Sequence, residues 1–214
     1  MKLKFLALAV MANSIILAPP VVGATFIKPV SVEASSTIKD VGLDKENLIN
    51  GIGLDGELHD TDFTNMWLSE SVTATLTFDL GDIYGLGGAY VWQYNPGNGS
   101  TGSGVKQFDI LTSLDDILFT PVLSATLAQG DGIDGWFSPE LKVFTKTARY
   151  VKFSILSNYN TSSSYSGLSE VRFKSGLPVP EPDVTSLLAL AVLGLFTLRG
   201  KNHFFSQKSG VGAI

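Results

Sequence analysis

Residues 72 to 79 alternate strictly: Val72, Ala74, Leu76 and Phe78 are apolar, and Thr73, Thr75, Thr77 and Asp79 interleave with them. Successive side chains of a strand point to opposite faces, so this stretch makes one greasy face and one wet one. A helix would scatter the same residues around its axis. Similar short runs recur at 88–93, 106–112, 120–127, 140–144, 149–156 and 168–173, separated by clusters of Gly, Asn, Asp and Ser that favour turns. Seven short strands without an amphipathic helix predict an all-β antiparallel sandwich. The segments 96–104 and 158–166, rich in Gly and Ser or in Asn and Ser, read as loops.

Composition narrows the chemistry. The 214 residues contain no cysteine, which removes disulfides, thiolate metal sites and cysteine nucleophiles. Only two histidines are present, His59 and His203, so a histidine-rich metal centre and a Ser-His-Asp triad lack their parts. Gly51 to Gly56 matches G-x-G-x-x-G, but the polar stretch 57–65 that follows reads as loop and supplies no helix to hold a phosphate. Asp60-Thr61-Asp62 has the spacing of an aspartyl nucleophile, yet no buried strand precedes it, and His59 reads as a solvated loop histidine. These readings predict a protein that is not an enzyme. Residues 25–176 hold eighteen acids against ten bases, eight net negative charges, which excludes nucleic acid as a partner.

The ends read as addresses. Lys2 and Lys4, an apolar run from Phe5 to Leu17 and the small-residue stretch Val22-Gly23-Ala24 predict a signal peptide over 1–24. The domain is expected over 25–176, followed by a linker with Pro180-Glu181-Pro182 over 177–183. An uncharged stretch covers 184–198, and a tail with Arg199 and Lys201 at its start covers 199–214. Proline-rich triplet, apolar helix and basic stop together resemble the C-terminal sorting signal of PEP-CTERM proteins. That resemblance implies an exosortase-type processing enzyme as partner and transient insertion in the inner membrane before release to the cell surface or exterior. Fifteen helical residues span only about 22 Å, short of the ~30 Å hydrocarbon core. A plain anchor or a buried helix is the alternative reading of the same residues.

Within the domain, Asn50-Gly51, Trp67-Leu68-Ser69, Thr77 to Gly81, Val91 to Asn95, Val105 to Ser113, Ala148 to Lys152 and Gly167 to Phe173 occur in an order that resembles the coagulation-factor 5/8 type C, or discoidin, domain. This implies a galactose-binding-like jelly roll in which Trp67 and Trp92 pack in the core. It also implies a structural Ca²⁺ held by Asn50, Thr64 and Glu170, with Asp55 or Asp62 offsetting the neutral Asn50. Calcium takes six to eight oxygens, and the 50–65 stretch is rich in them, although a solvated acidic loop would look the same.

For a glycan, whose apolar C–H faces are ringed by hydroxyls, an aromatic plate with amides nearby is the minimal kit. Tyr94 and Asn95, Trp136, and Asn158, Tyr159 and Asn160 are the candidates, Trp136 foremost because a glycine-rich turn precedes it. Packing within its loop is the alternative role for Trp136. The expected function is thus a secreted, noncatalytic carbohydrate-binding module of the cell envelope or matrix. A structural or adhesive envelope protein with protein partners and no sugar site is the competing reading.

Overall fold

The computed structural model describes residues 26–38, 41–160 and 162–176. The expected signal peptide, the Pro180-Glu181-Pro182 triplet and the apolar stretch 184–198 lie outside them. No helix among the described residues is long and apolar enough to cross a membrane.

Among the described residues, twelve strands in an antiparallel arrangement are interrupted by one short helix and two 3-10 turns. β1 is Phe26–Ile27, β2 Ser31–Ala34, β3 Leu54–Asp55, β4 Leu58–Asp60, β5 Trp67–Leu68 and β6 Ala74–Gln93. β7 is Val105–Ser113, β8 Thr120–Thr126, β9 Trp136–Phe137, β10 Glu140–Lys142, β11 Lys146–Asn158 and β12 Gly167–Ser175. A helix of one turn, α1, covers Asn47–Asn50 and packs on β12.

Two of the expected strands are in fact one. β6 runs for 20 residues and takes part in both layers of the sandwich. Its first half pairs with β2 and with β11 through Ala74↔Ile155 to Asp79↔Tyr150, in a layer continued by β7 and β8. Its second half pairs with β12 and β10, in the layer completed by β1 and β5. The alternation holds in the first half: Ala74, Leu76, Phe78 and Leu80 are buried. Past the crossing, Ala89 and Val91 face the same core. At Gly88 a Cβ would sit 2.6 Å from the Lys142 carbonyl oxygen, so only glycine lets β10 lie this close.

The crossing is fastened by charge. Between the pairs Asp79↔Tyr150 and Tyr84↔Ala148, four residues of β6, 80–83, stand against the single Arg149 of β11, whose guanidinium grips Asp79 with both prongs, Nε–Oδ1 and Nη2–Oδ2 each at 2.9 Å. That grip holds the Asp79 carboxyl below the usual range. Asp79 also accepts from Gly81 N at the start of the bend.

The core is aromatic. Phe153 of β11 lies 5.3 Å from Phe78, 6.3 Å from Phe173 and 5.0 Å from Phe108, measured between ring centroids, so it joins both layers. Trp67 and Trp92 are buried, as the family resemblance implied. Six strands escaped the sequence reading because each has four residues or fewer. The stretch 57–65, expected as loop, contains β4 and a 3-10 turn over Phe63–Asn65.

Phe153→Ala should cost about 3–5 kcal/mol of stability, because the hole opens between two layers that cannot both collapse into it. Urea unfolding followed by fluorescence measures the loss. A change below about 1 kcal/mol would mean that the two layers do not share this core.

Candidate functional site

One end of the sandwich is assembled from four connections that hold one another by polar side chains. Gly97 N donates to the Thr61 carbonyl at 3.1 Å, and Thr61 Oγ1 donates to Asp134 Oδ1 at 2.8 Å. Asn98 and Ile133 form an isolated antiparallel bridge. Asn95 donates to Asp131 Oδ1 at 3.0 Å and accepts from Gly132 N at 2.8 Å. Tyr159 N donates to the Gly102 carbonyl at 3.1 Å, which ties the 158–166 connection to the same end.

Over this end lies a second, three-stranded sheet in the order β3-β4-β9. Asp60 pairs with Trp136 and His59 with Phe137. Directly paired residues share a face, so the two pairs point opposite ways. His59 and Phe137 turn inward, their rings 5.7 Å apart, and Phe137 packs on the small cluster of Leu43, Met66, Leu68 and Tyr94. Trp136 turns outward with 56% of its surface exposed, beside Leu58, which is also exposed. Trp136 therefore stands on a paired strand, not on a free loop, and its backbone position is set by hydrogen bonds of the sheet.

The structure brings the six expected glycan-contact residues to this one end but gives them different exposures. Tyr94 and Asn95 are buried: Tyr94 packs in the small cluster, and Asn95 spends its amide on the 131–132 turn. Asn158 is buried as well, donating to the carbonyls of Ser163 and Tyr165. These three organise the loops from beneath. Tyr159 is half-buried, with its hydroxyl donating to the Leu127 carbonyl and Lys106 Nζ 5.5 Å from its ring centroid. Asn160 is exposed, though its backbone N–H donates to Asn158 Oδ1. Burial is the physical reason that only Trp136, Tyr159 and Asn160 keep faces that a ligand can touch.

The oxygen-rich residues fall into two neighbouring groups. Glu170, with 0% exposure, accepts from Gly51 N at 3.2 Å and from Arg172 Nε at 3.1 Å. Burial nevertheless pushes its carboxyl up to about 7, so the positive charge around it falls short of what an ionised buried carboxylate needs. Beside α1, three carbonyl oxygens, of Gly42, Thr64 and Met66, converge within 3.0 Å of Asn47 Nδ2, which has two protons for three acceptors. Asn47 accepts in turn from Asn50 Nδ2 at 3.0 Å. An under-compensated buried carboxylate and convergent carbonyls are donors that suit a hard divalent cation. Asp55 and Asp62 are both exposed, and Asp62 accepts from the N–H and hydroxyl of Thr64. Among the described residues, no three His, Cys, Asp or Glu side chains gather in a metal-binding group.

No family model matches this sequence, and no curated protein matches it. Solved structures do. The chain superposes on the family 32 carbohydrate-binding module (CBM32) of AlyQ in complex with 4,5-unsaturated mannuronic acid with a TM-score of 0.50 and 24% identity, over 70% of this chain and 97% of that one. A second is CBM32-3 from a family 31 glycoside hydrolase of Clostridium perfringens, with TM-score 0.53, 20% identity and coverage of 70% and 90%. A third is a pectin-binding carbohydrate-binding module, with TM-score 0.52, 18% identity and coverage of 72% and 96%. At these identities the likeness is one of fold: the chain is an all-β antiparallel sandwich whose fold matches that of these modules.

The sequence reading missed His59, which is not a solvated loop residue but has 0% exposure. Its Nδ1–H donates to the Asp60 carbonyl at 2.8 Å, and Nε2 has no partner. The neutral ring is thereby required, since a second proton would sit on Nε2 with nothing to accept it. Burial holds its pKa below 6.5, although Asp60 Oδ1 at 3.5 Å works against that. No sequence signal marks this burial, because it arises from pairing with Phe137, 78 residues away. A depressed histidine stabilises the fold above about pH 6.5 and loses that contribution as pH falls below it, while the unfolded chain takes up the proton. Urea midpoints at about pH 7.5 and about pH 5.5 should therefore differ more in the parent than in His59→Gln. Equal pH slopes for the two proteins would show that His59 titrates as freely folded as unfolded.

Proposed function

We propose that this chain is a noncatalytic carbohydrate-binding module, exported and then displayed at the cell surface or released. Its ligand is a neutral or weakly basic glycan bound over β9 and the adjoining loops. The observation that carries this reading is Trp136, a largely exposed aromatic plate fixed on a paired strand. It stands at the end where Tyr159 and Asn160 supply a second ring and an amide. A pyranose ring covers such a plate with its C–H face and turns its hydroxyls to neighbouring polar groups. The fold is one that carbohydrate-binding modules use, among them one of AlyQ in complex with an unsaturated mannuronic acid and one that binds pectin.

Charge separates this chain from an acidic ligand. Its loops at the Trp136 end carry Asp55, Glu57, Asp60, Asp62, Asp131 and Asp134, and no Lys or Arg occurs between Lys45 and Lys106 or between Lys106 and Lys142. A uronic acid polymer brought here would meet like charge unless a cation bridged it. Single-site affinity is expected to be weak, with avidity coming from several copies on one polymer. Ca²⁺ is proposed as a structural partner held through Glu170 and the carbonyls gathered at Asn47, with no part in holding the sugar.

The same reading takes Met1 to Ala24 as the export signal. Residues 179–201 with Pro180-Glu181-Pro182 are then the sorting signal for an exosortase-type enzyme, with 184–198 held transiently in the membrane. Supporting it, the described chain ends at Gly176 on the end of the sandwich opposite Trp136, where Gly176 N donates to the Gly85 carbonyl. The chain thus leaves the described domain at the end away from Trp136.

Residues 25–176 on a glycan array, run in Ca²⁺ and in EDTA, should bind neutral or amino sugars in preference to uronic acids. Trp136→Ala should lose at least about tenfold in affinity for the best ligand, the equivalent of ~1.4 kcal/mol. Undiminished binding by Trp136→Ala would remove that residue from the site. No binding to any glycan would favour the envelope protein that contacts other proteins.

A further inference from the structure

The end of the sandwich that bears Gly176 carries an exposed apolar tip. Between β7 and β8, residues 114–119 turn with Leu114, Ile117 and Leu118 exposed to 57%, 78% and 76%. Three aliphatic side chains held this far into water in six residues need a reason, because turns are ordinarily polar. The tip is also built. Asp115 Oδ1 accepts from Ile117 N at 2.9 Å, from Leu118 N at 3.0 Å and from the Ser113 hydroxyl at 2.8 Å. Asp116 takes a left-handed backbone, φ 61°, to close the turn. Lys152 Nζ sits 3.6 Å from the Phe119 ring centroid and steadies the base. Two of the backbone donors at the apolar apex are therefore satisfied before the tip meets anything, which lowers the cost of setting the apex at the headgroup boundary, with the Asp115 and Asp116 carboxylates left at the level of the headgroups.

Topology puts this tip where the chain leaves the fold. β7 ends opposite Tyr150, β11 begins opposite Leu86, and Gly176 is hydrogen-bonded at Gly85. The strand order β12-β6-β11-β7 sets tip and exit roughly 15 Å apart at ~4.8 Å per strand. Seven residues, 177–183, separate Gly176 from the uncharged stretch 184–198, and they can reach at most about 25 Å. Charge agrees with the geometry. Lys146, Arg149, Lys152 and Lys174 lie toward the Gly176 end and offset Asp79, Asp82, Asp115 and Asp116 there, whereas the loops of the Trp136 end carry six acids, so an anionic surface would repel that end more than this one.

We propose that Leu114, Ile117 and Leu118 form a bilayer-contact finger. While the chain is held by 184–198, these side chains enter the headgroup–acyl boundary and fix the domain with Trp136 facing away from the lipid. The proposal rests on the reading of 184–198 as membrane-held and adds to it the orientation of the domain. One tether leaves a domain free to tumble; a tether and a finger at the same end do not.

The chain has no cysteine, so single labels are clean. Full-length Ile117→Cys and Ser100→Cys, each carrying a nitrobenzoxadiazole label, are reconstituted into vesicles of phosphatidylcholine with a minor fraction of phosphatidylglycerol. Both are floated and then probed with quenchers attached to the acyl chains. The expected result is flotation of both, with a blue shift and strong quenching at position 117 and an aqueous spectrum at position 100. Flotation with an aqueous label at 117 would overturn the finger and leave the tail reading standing. Failure to float would overturn both. A blue-shifted label at 117 that lipid quenchers do not reach would mean that protein, such as a second copy, covers the tip, and the proposal would fall.

Discussion

Everything in this domain follows from the passage of one strand through two layers. β6 pairs with β11 up to Asp79 and again from Tyr84 to Leu86, and from Leu86 onward it pairs with β12, so its two halves line the same core from opposite sides. A single strand cannot do this without a bend in which several residues lose their ladder partners, and the 81–85 stretch is accordingly exposed or half-exposed. The bidentate pair of Arg149 with Asp79 secures the bend from the neighbouring strand, at the bulge that accommodates it. An ion pair this exposed adds little to stability by itself. Its value is geometric, since it ties Arg149 to Asp79 at the register shift and so holds the pairing of β6 with β11 on both sides of it.

The far end of β6 delivers Gln93, Tyr94 and Asn95 beneath the candidate site, and there the buried amides take over the role that ladder hydrogen bonds play in the sheets. Gln93 donates to the carbonyls of Val105 and Ala128, Asn95 holds the 131–132 turn, and Asn158 holds the 163–165 turn. Each of these connections is glycine- or serine-rich and has few apolar side chains to bury, so polar anchoring from below replaces a core of its own. The result is a small sheet whose outer face can present an indole without burying it. An aromatic plate of this kind contributes to binding only if it does not collapse on removal of the ligand, and pairing of β9 with β4 prevents that.

The division between what the sequence discloses and what it hides has a physical basis. Phe78 and Leu76 could be placed in a core from alternation alone because their neighbours in sequence carry the signal. Trp67 and Trp92 were placed by resemblance. His59 could not be placed at all, because its burial depends on Phe137 and on a two-residue strand that has no periodicity to detect. Tyr94, Asn95 and Asn158 looked like ligand-facing residues for a related reason. An amide at the end of a strand serves equally well as a contact for a sugar or as an anchor for a turn, and only the position of the partner loop decides between them.

The solved structures that share this fold share under a quarter of their residues with this chain, and in such sandwiches ligand chemistry is ordinarily carried by the loops. Two of those modules are described with an unsaturated uronic acid or with pectin. This chain sets six carboxylates in the loops at the Trp136 end, with Lys106 beside Tyr159 as a base at its edge. Because none of the six is balanced by a nearby base, their combined field extends beyond any single contact and acts on a polymer before it docks. On the reading proposed above, these loop charges favour ligands that carry hydroxyls or amines over uronic acids. Lys106 stands against the Tyr159 ring at that end, while Lys146, Arg149 and Lys174 lie toward the end where the chain departs.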